Sequence, residues 1–145
     1  MKNLAVLLSL LTYGCASMQA DYVFSVEKEL LPYYDSFIEE GINRGVDLSS
    51  VSIIMSIQEI NSGAGGHSYS PNYIYKIPKI DMDKAIWEKS NKYSREYMVM
   101  HELAHALLQR EHINDEHSIM YENINLSQVS YYINHRDKML DELFN

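Results

Sequence analysis

The stretch that decides the fold is residues 97–108, which read Tyr-Met-Val-Met-His-Glu-Leu-Ala-His-Ala-Leu-Leu. Its strongly polar side chains are those of His101, Glu102 and His105. A helix that is apolar on nearly all sides is buried in the protein interior. We therefore predict a buried helix over about Arg95–Gln109. A buried carboxylate is costly unless it has a partner or a function, and Glu102 is such a group.

The three polar residues form the pattern H-E-x-x-H. Residues four apart are neighbours on a helix surface, with Cβ atoms about 5–6 Å apart. The imidazoles of His101 and His105 can therefore converge on one Zn²⁺, at about 2.0–2.1 Å from each nitrogen. Glu102 is turned about 100° around the helix axis from His101, so its carboxylate can reach a water held on the metal. The pattern predicts metal-assisted hydrolysis, and the alternative is an ordinary helix with two histidines and a paired glutamate.

Cysteine usage limits the kind of metal site. The single cysteine of the chain is Cys15, near the N-terminus. A structural zinc site is closed by four protein ligands, commonly with cysteine among them. Two histidines and one further protein ligand leave a position open for water, which is typical of a catalytic site. The sequence therefore favours a catalytic site with one Zn²⁺ per chain.

The third ligand must come from beyond the helix. His112 is the favoured residue, seven positions after His105. In a continuous helix it would lie about 16 Å along the axis from His101, too far to share one ion. If His112 is the ligand, the helix must therefore stop near Leu108–Arg110 and the chain must turn back. Other side chains remain alternatives for this ligand: His117 first, then Glu122 and Glu111.

The rest of the sequence predicts a single α+β domain. Apolar residues at three- and four-residue steps indicate helices, and short β-branched or alternating stretches indicate strands. Pro32 is expected to begin or bend the first helix. The predicted elements are a helix over Asp21–Gly45, a strand over Val51–Ile57, a flexible turn over Asn61–Gly66, a strand over Ile74–Ile80, a helical segment or loop over Asp81–Ser90, the buried helix opened by Ser94, and a last helix over Ser127–Phe144 capped by Ser127.

The first residues are typical of an export signal. Lys2 precedes the short apolar run Leu4–Leu11, which cannot span a bilayer as a helix. Cys15 follows this run after Thr12-Tyr13-Gly14, at the end of the signal as in bacterial lipoproteins, so we predict that Cys15 is lipidated and anchors the protein to a membrane. The predicted location is the cell envelope, in the outer membrane facing the periplasm or the surface. The alternative is an ordinary secretory signal cut near Ser17 or Ala20.

Composition bounds the class of protein. The chain has 145 residues, of which 46% are hydrophobic, and its formal net charge is −8. This indicates one globular domain, and the acidic charge disfavours binding to nucleic acid. We predict a signal peptide over residues 1–14 and a single domain over residues 15–145.

The metal-binding pattern resembles that of the metzincin zinc peptidases, especially the matrixin-like ones. The residues that carry the resemblance are His101-Glu102-Leu103-Ala104-His105, then His112, then Ser118-Ile119-Met120-Tyr121. In that family three histidines bind zinc, the glutamate is the general base, and a methionine in a tight turn underlies the site. The resemblance therefore implies ligands His101, His105 and His112, the base Glu102 and the turn methionine Met120.

The resemblance also implies a fold and a substrate. The expected fold is a small metzincin-like zincin domain, with a short twisted sheet packed on an N-terminal helix and an active-site helix, and a C-terminal helix after the methionine turn. Segment Gly65–Ser70 is interpreted as an edge strand over the cleft that pairs with extended substrate, or else as a solvated loop. The expected substrate is a peptide or protein. The alternatives are a zinc-containing lipoprotein of the same fold that binds without catalysis, and a metal-free structural lipoprotein.

Two features depart from the family's usual pattern. Six residues, instead of five, separate His105 from His112, and Leu108 stands where the family has a glycine. Glycine at that point allows a positive φ and a sharp turn, which a leucine resists. We therefore expect the chain to turn after one more helical step.

Overall fold

The computed structural model describes residues 22–61, 63–70 and 76–145. Within them the chain forms four helices and a mixed four-stranded sheet, which confirms the α+β class. The predicted signal peptide over residues 1–14 and Cys15 lie outside the described residues. The elements are β1 (Phe24–Val26), α1 (Leu31–Asn43), β2 (Ile53–Gln58), β3 (Gly66–Tyr69), β4 (Lys79–Asp83), α2 (Lys84–Lys89), α3 (Lys92–Leu108) and α4 (Leu126–Phe144).

The sheet has the strand order β1-β2-β4-β3. Strands β1, β2 and β4 are parallel to one another, and β3 runs antiparallel to β4 at one edge. Helix α3 contacts β3, β4, α1 and α4, so it lies at the centre of the domain. Its residues 97–104 are all buried, as the apolar character of this stretch predicts. In the described ranges, no helix combines the length and the apolar character needed to cross a membrane.

The N-terminal helix is shorter than predicted. Phe24–Val26, placed by periodicity in the helix Asp21–Gly45, instead forms β1, because its backbone pairs with β2. Helix α1 begins at Leu31, with Pro32 in its first turn, where a proline has no hydrogen bond to lose. The prediction that Pro32 marks the start of this helix is confirmed.

The last strand lies further along the chain than predicted. The predicted strand Ile74–Ile80 begins outside the described residues, and β4 continues to Asp83 because it pairs in parallel with β2. Asp81 was expected in a helical segment or loop. It is instead buried in β4, where its carboxylate accepts hydrogen bonds from Ser56 Oγ and Lys79 Nζ, both at 2.6 Å. These partners offset the cost of burying the charge.

Two helices begin a little earlier than predicted. Asn91, not Ser94, caps α3, and its side chain accepts from the backbone N–H groups of Tyr93 and Ser94. Asn125, not Ser127, caps α4. An asparagine side chain is as good an N-cap as a serine, so residue type alone did not locate these helix starts.

An ion-pair network joins α1, α3 and α4. Arg136 of α4 contacts Glu40 of α1 at 2.5 Å and Glu96 of α3 at 2.8 Å, and Arg44 contacts Glu40 at 2.5 Å. Burial raises the pKa of the Glu40 carboxyl, but hydrogen bonds and charge from Arg136 and Arg44 outweigh this and hold its pKa below the ordinary value. The network therefore stabilises the folded chain most when Glu40 is ionised.

We expect Glu40→Gln to lower the free energy of unfolding at pH 7 by about 1–2 kcal/mol. The folded pKa of Glu40 lies below its unfolded value, so its contribution is complete above the unfolded pKa of about 4.3 and is lost as pH falls through the folded pKa. Urea unfolding of both proteins between pH 3 and pH 7 measures this. Glu39→Gln, at an exposed neighbour, should leave stability almost unchanged. If the free energies of unfolding of the wild type and Glu40→Gln differed by the same amount at every pH, the role of ionised Glu40 would be contradicted.

Candidate metal centre

Helix α3 presents three polar side chains at its C-terminal half. His101 is 4% exposed and Glu102 is 8% exposed, while His105 is half-buried. The side chains of His101 and His105 lie one helical turn apart, and their Nε2 atoms are 3.1 Å apart. The convergence that the spacing predicts is therefore present.

The chain turns back just after α3 ends. Gln109 adopts the left-handed conformation, with φ 55° and ψ 34°. Its N–H and that of Arg110 are both directed at the carbonyl of Ala104, the latter at 3.2 Å. Leu108 remains helical, so the expectation of a turn one helical step later is confirmed. The extra residue before His112 thus allows the turn without a glycine.

This turn brings His112 back to the helix. Its Nε2 lies 3.1 Å from Nε2 of His101 and 3.0 Å from Nε2 of His105. The loop is closed by a hydrogen bond from the N–H of Ile113 to the carbonyl of Met120, at 3.0 Å. The three histidines therefore form one cluster, in which His101 is buried and His112 is exposed.

The other candidate ligands stay apart from this cluster. The ring of His117 instead contacts that of Tyr131, with centroids 4.1 Å apart and a tilt of 31° between the rings. Glu122 lines the cleft beside the histidines, and Glu111 lines the space on their other side, but neither belongs to the cluster. Among the described residues, His101, His105 and His112 form the single group of three or more metal-ligating side chains.

Residues 118–120, which follow this loop, orient the ring of His101. Ser118, Ile119 and Met120 are all buried. The hydroxyl of Tyr97 donates to the carbonyl of Ser118 at 2.8 Å, and the N–H of Met120 donates to Oγ of Ser118 at 3.1 Å. The carbonyl of Ile119 then lies 2.7 Å from Nδ1 of His101. A buried turn containing Met120 therefore lies directly behind the site.

Backbone carbonyls determine which ring nitrogen carries the proton in His101 and in His105. Nδ1 of His101 faces the carbonyl of Ile119, and Nδ1 of His105 faces the carbonyl of Arg110 at 2.5 Å. A carbonyl accepts only, so each Nδ1 carries the proton and each Nε2 carries a lone pair. Burial lowers the pKa of His101 to about 4 and also lowers that of His105, against the backbone hydrogen bonds that raise both. The two rings are therefore neutral, as metal ligands must be.

The nitrogen spacing fits a metal ion. Two lone pairs directed at each other across 3.1 Å repel unless a cation lies between them. Tetrahedral ligands at about 2.0–2.1 Å from Zn²⁺ are themselves about 3.3 Å apart. The observed spacings of 3.0–3.1 Å are close to this value. The cluster could hold a metal ion with three nitrogen ligands.

An open cleft of about 640 Å³ lies beside the cluster. Residues 63–68 form one wall and residues 122–125 form the other. Strand β3, Gly66–Tyr69, belongs to the first wall and ends the described sheet, so a strand rather than a loop occupies most of Gly65–Ser70, while its pairing with substrate stays a prediction. A second open space of about 640 Å³ adjoins the other side of the histidines and shares Ser68, His105 and His112 with the cleft. An extended chain could therefore cross the site.

The side chain of Glu102, a residue of α3, extends between that helix and β3 at the cleft. Burial raises the pKa of its carboxyl to about 7, against a hydrogen bond from the Ser68 side chain that lowers it. Sequence reasoning missed Ser68. The period of two in a strand, applied to the predicted edge strand, would have placed Gly66 and Ser68 on one face, but it could not show which helix residue they meet.

Comparisons of this chain with protein-family models, with curated proteins and with solved structures find no match. The histidine cluster and its surroundings must therefore be interpreted from their own geometry.

The left-handed turn predicts a pair of opposite stability effects. Gln109→Gly should raise the free energy of unfolding by about 0.5–1 kcal/mol, because glycine adopts positive φ without strain. Leu108→Gly should lower it by about 1 kcal/mol or more, because residue 108 is helical. Chemical denaturation at neutral pH measures both. Stabilisation by Leu108→Gly would contradict the assigned turn, and Gln109→Ala, which keeps the strain, serves as control.

The cluster predicts metal binding that depends on His112. Elemental analysis of the purified protein after incubation with zinc and desalting should give one zinc per chain, and His112→Ala should lose it, because two nitrogens hold the ion far less tightly than three. His117→Ala is the matched control and should retain zinc. Loss of zinc in His117→Ala with retention in His112→Ala would reverse the assignment.

Proposed function

We propose that this protein is a zinc-dependent peptidase of metzincin type, exported to the cell envelope and anchored there through a lipidated Cys15. The observation that carries the catalytic part is the convergence of three histidine nitrogens beside a buried glutamate at an open cleft. Its support from sequence is the order of ligands, base and methionine turn along the chain. The anchor is supported by the sequence of the first fifteen residues alone.

Zinc is the proposed ion because three imidazoles suit it and because an open fourth position is typical of its catalytic sites. When bound, it would supply a Lewis acid and lower the pKa of a water molecule. The chain's own contribution is to fix the three nitrogens. Two are aimed by carbonyls of Ile119 and Arg110, so the rings need little rearrangement to bind.

Glu102 is the proposed general base and acid. Its carboxylate oxygen takes a proton from the attacking water and later delivers that proton to the leaving amine. A base works best when its pKa is near the working pH, and burial brings the pKa of Glu102 towards 7. The carboxylate and the histidines line the same cleft, so substrate can reach both.

The substrate is proposed to bind as an extended peptide along β3. Within the described residues β3 has one hydrogen-bonded neighbour, β4. The other edge of such a strand offers backbone N–H and C=O groups to a peptide, which is the strand-addition mode of recognition. Open space on both sides of the histidines leaves room for residues before and after the scissile bond.

The decisive experiment separates hydrolysis from metal binding. The zinc-loaded protein is incubated with a mixed peptide library, and cleavage is followed by mass spectrometry. Glu102→Gln should reduce cleavage by at least a hundredfold and keep one zinc per chain, because it removes the proton acceptor but no ligand. Glu116→Gln, on the exposed loop, should cleave like the wild type.

Cleavage by Glu102→Gln at the wild-type rate would refute the role of Glu102. Zinc binding by the wild type without cleavage of any peptide would favour the non-catalytic binding lipoprotein instead. Absence of zinc from the wild type would leave the metal-free alternative.

A further inference from the structure

We propose that Ser68 is a positioning residue that holds the Glu102 carboxylate at the histidine site. The inference rests on the proposed function, because it assigns Ser68 a part in the chemistry of Glu102. It starts from the packing of β3 on α3, the two elements that carry these residues.

The glycines of β3 and of the turn before it allow an unusually close approach to α3. A Cβ atom at Gly66 would lie 2.9 Å from Cγ and 3.2 Å from Cδ of Glu102, and 3.0 Å from Sδ of Met82. A Cβ atom at Gly65 would lie 2.6 Å from Sδ of Met98. A side chain at either position would force these side chains, that of Glu102 included, to shift. The stem of Glu102 therefore packs directly against the backbone of β3.

Ser68 lies two residues beyond Gly66, and alternate residues of a strand face the same side. Ser68 and Glu102 line the same cleft, and the Ser68 side chain acts there as a hydrogen-bond partner of the Glu102 carboxyl. Ser68 also lines the open space on both sides of the histidines, so it stands where the two spaces meet. Gly66 thus fixes the stem of Glu102, and Ser68 fixes its carboxylate.

This hydrogen bond should act on the rate of the chemical step. A glutamate has three side-chain torsions, and packing at Gly66 restrains only those nearest the backbone. The Ser68 hydroxyl restrains the last one, so that the carboxylate keeps one orientation at the cleft. Misplacing a catalytic group by about 1 Å can cost a hundredfold in rate without a change in substrate binding. Ser68 should therefore affect kcat rather than KM.

The test uses three serine variants of the full chain. Ser68→Ala should lower kcat about ten- to a hundredfold and leave KM and zinc content within twofold of the wild type. Ser68→Thr keeps the hydroxyl and should recover most of kcat. Ser25→Ala, in β1 at the opposite edge of the sheet, is the matched control and should behave like the wild type.

A second measurement does not depend on activity. The metal-free protein is labelled with glutamate carrying ¹³C at its carboxyl carbon, and Glu102→Gln assigns the Glu102 signal by its disappearance. This signal should move in Ser68→Ala and stay in place in Ser68→Thr and Ser25→Ala.

An unchanged signal in Ser68→Ala would overturn the inference whatever the kinetics show. A moved signal with unchanged kcat would also overturn it, because the hydrogen bond would then be structural only. If the zinc-loaded wild type cleaves no peptide, the proposed function fails and the catalytic role of Ser68 fails with it; a signal that still moves in Ser68→Ala would show that the fault lies in the proposed function and not in the hydrogen bond.

Discussion

The structure of the site depends on one constraint: His101 and His105 each donate a ring proton to a backbone carbonyl. Because Nδ1 of His101 donates to Ile119 and Nδ1 of His105 donates to Arg110, both rings must direct lone pairs at the same point. Both carbonyls belong to the segment that joins α3 to α4. The helix therefore supplies the rings, and the loop decides which nitrogen of each ring is free.

The two carbonyls are in turn held by the rest of the fold. The guanidinium Nε of Arg110 donates to the carbonyl of Leu143 at 3.2 Å, so the last turn of α4 fixes the residue that orients His105. Tyr97 of α3 donates to Ser118 and so fixes the residue before Ile119. The C-terminal helix thus acts on the histidine cluster through one arginine, although it provides none of the three nitrogens.

Local spacing predicted much of this site, and tertiary pairing determined the rest. His101, Glu102 and His105 lie within one helical turn, so their relation follows from helix geometry alone. His112 is the favoured third ligand in the sequence, a role that requires the chain to turn back after the helix, and the structure places it in the cluster. The strand Phe24–Val26 and the end of β4 were missed, because both are decided by pairing with β2, which local periodicity does not encode.

The features of the fold that raise its free energy lie close to the three histidines, where the metal would bind. Gln109 is held at a positive φ, Glu102 is buried, and two lone pairs face each other across 3.1 Å. Residues 111–117 are all exposed, so little apolar burial holds this part of the loop in place. A cation at the three nitrogens would turn their repulsion into attraction and close the loop through His112. A bound ion would therefore add to the order of the loop, while the helix and the sheet are held by a buried core of their own.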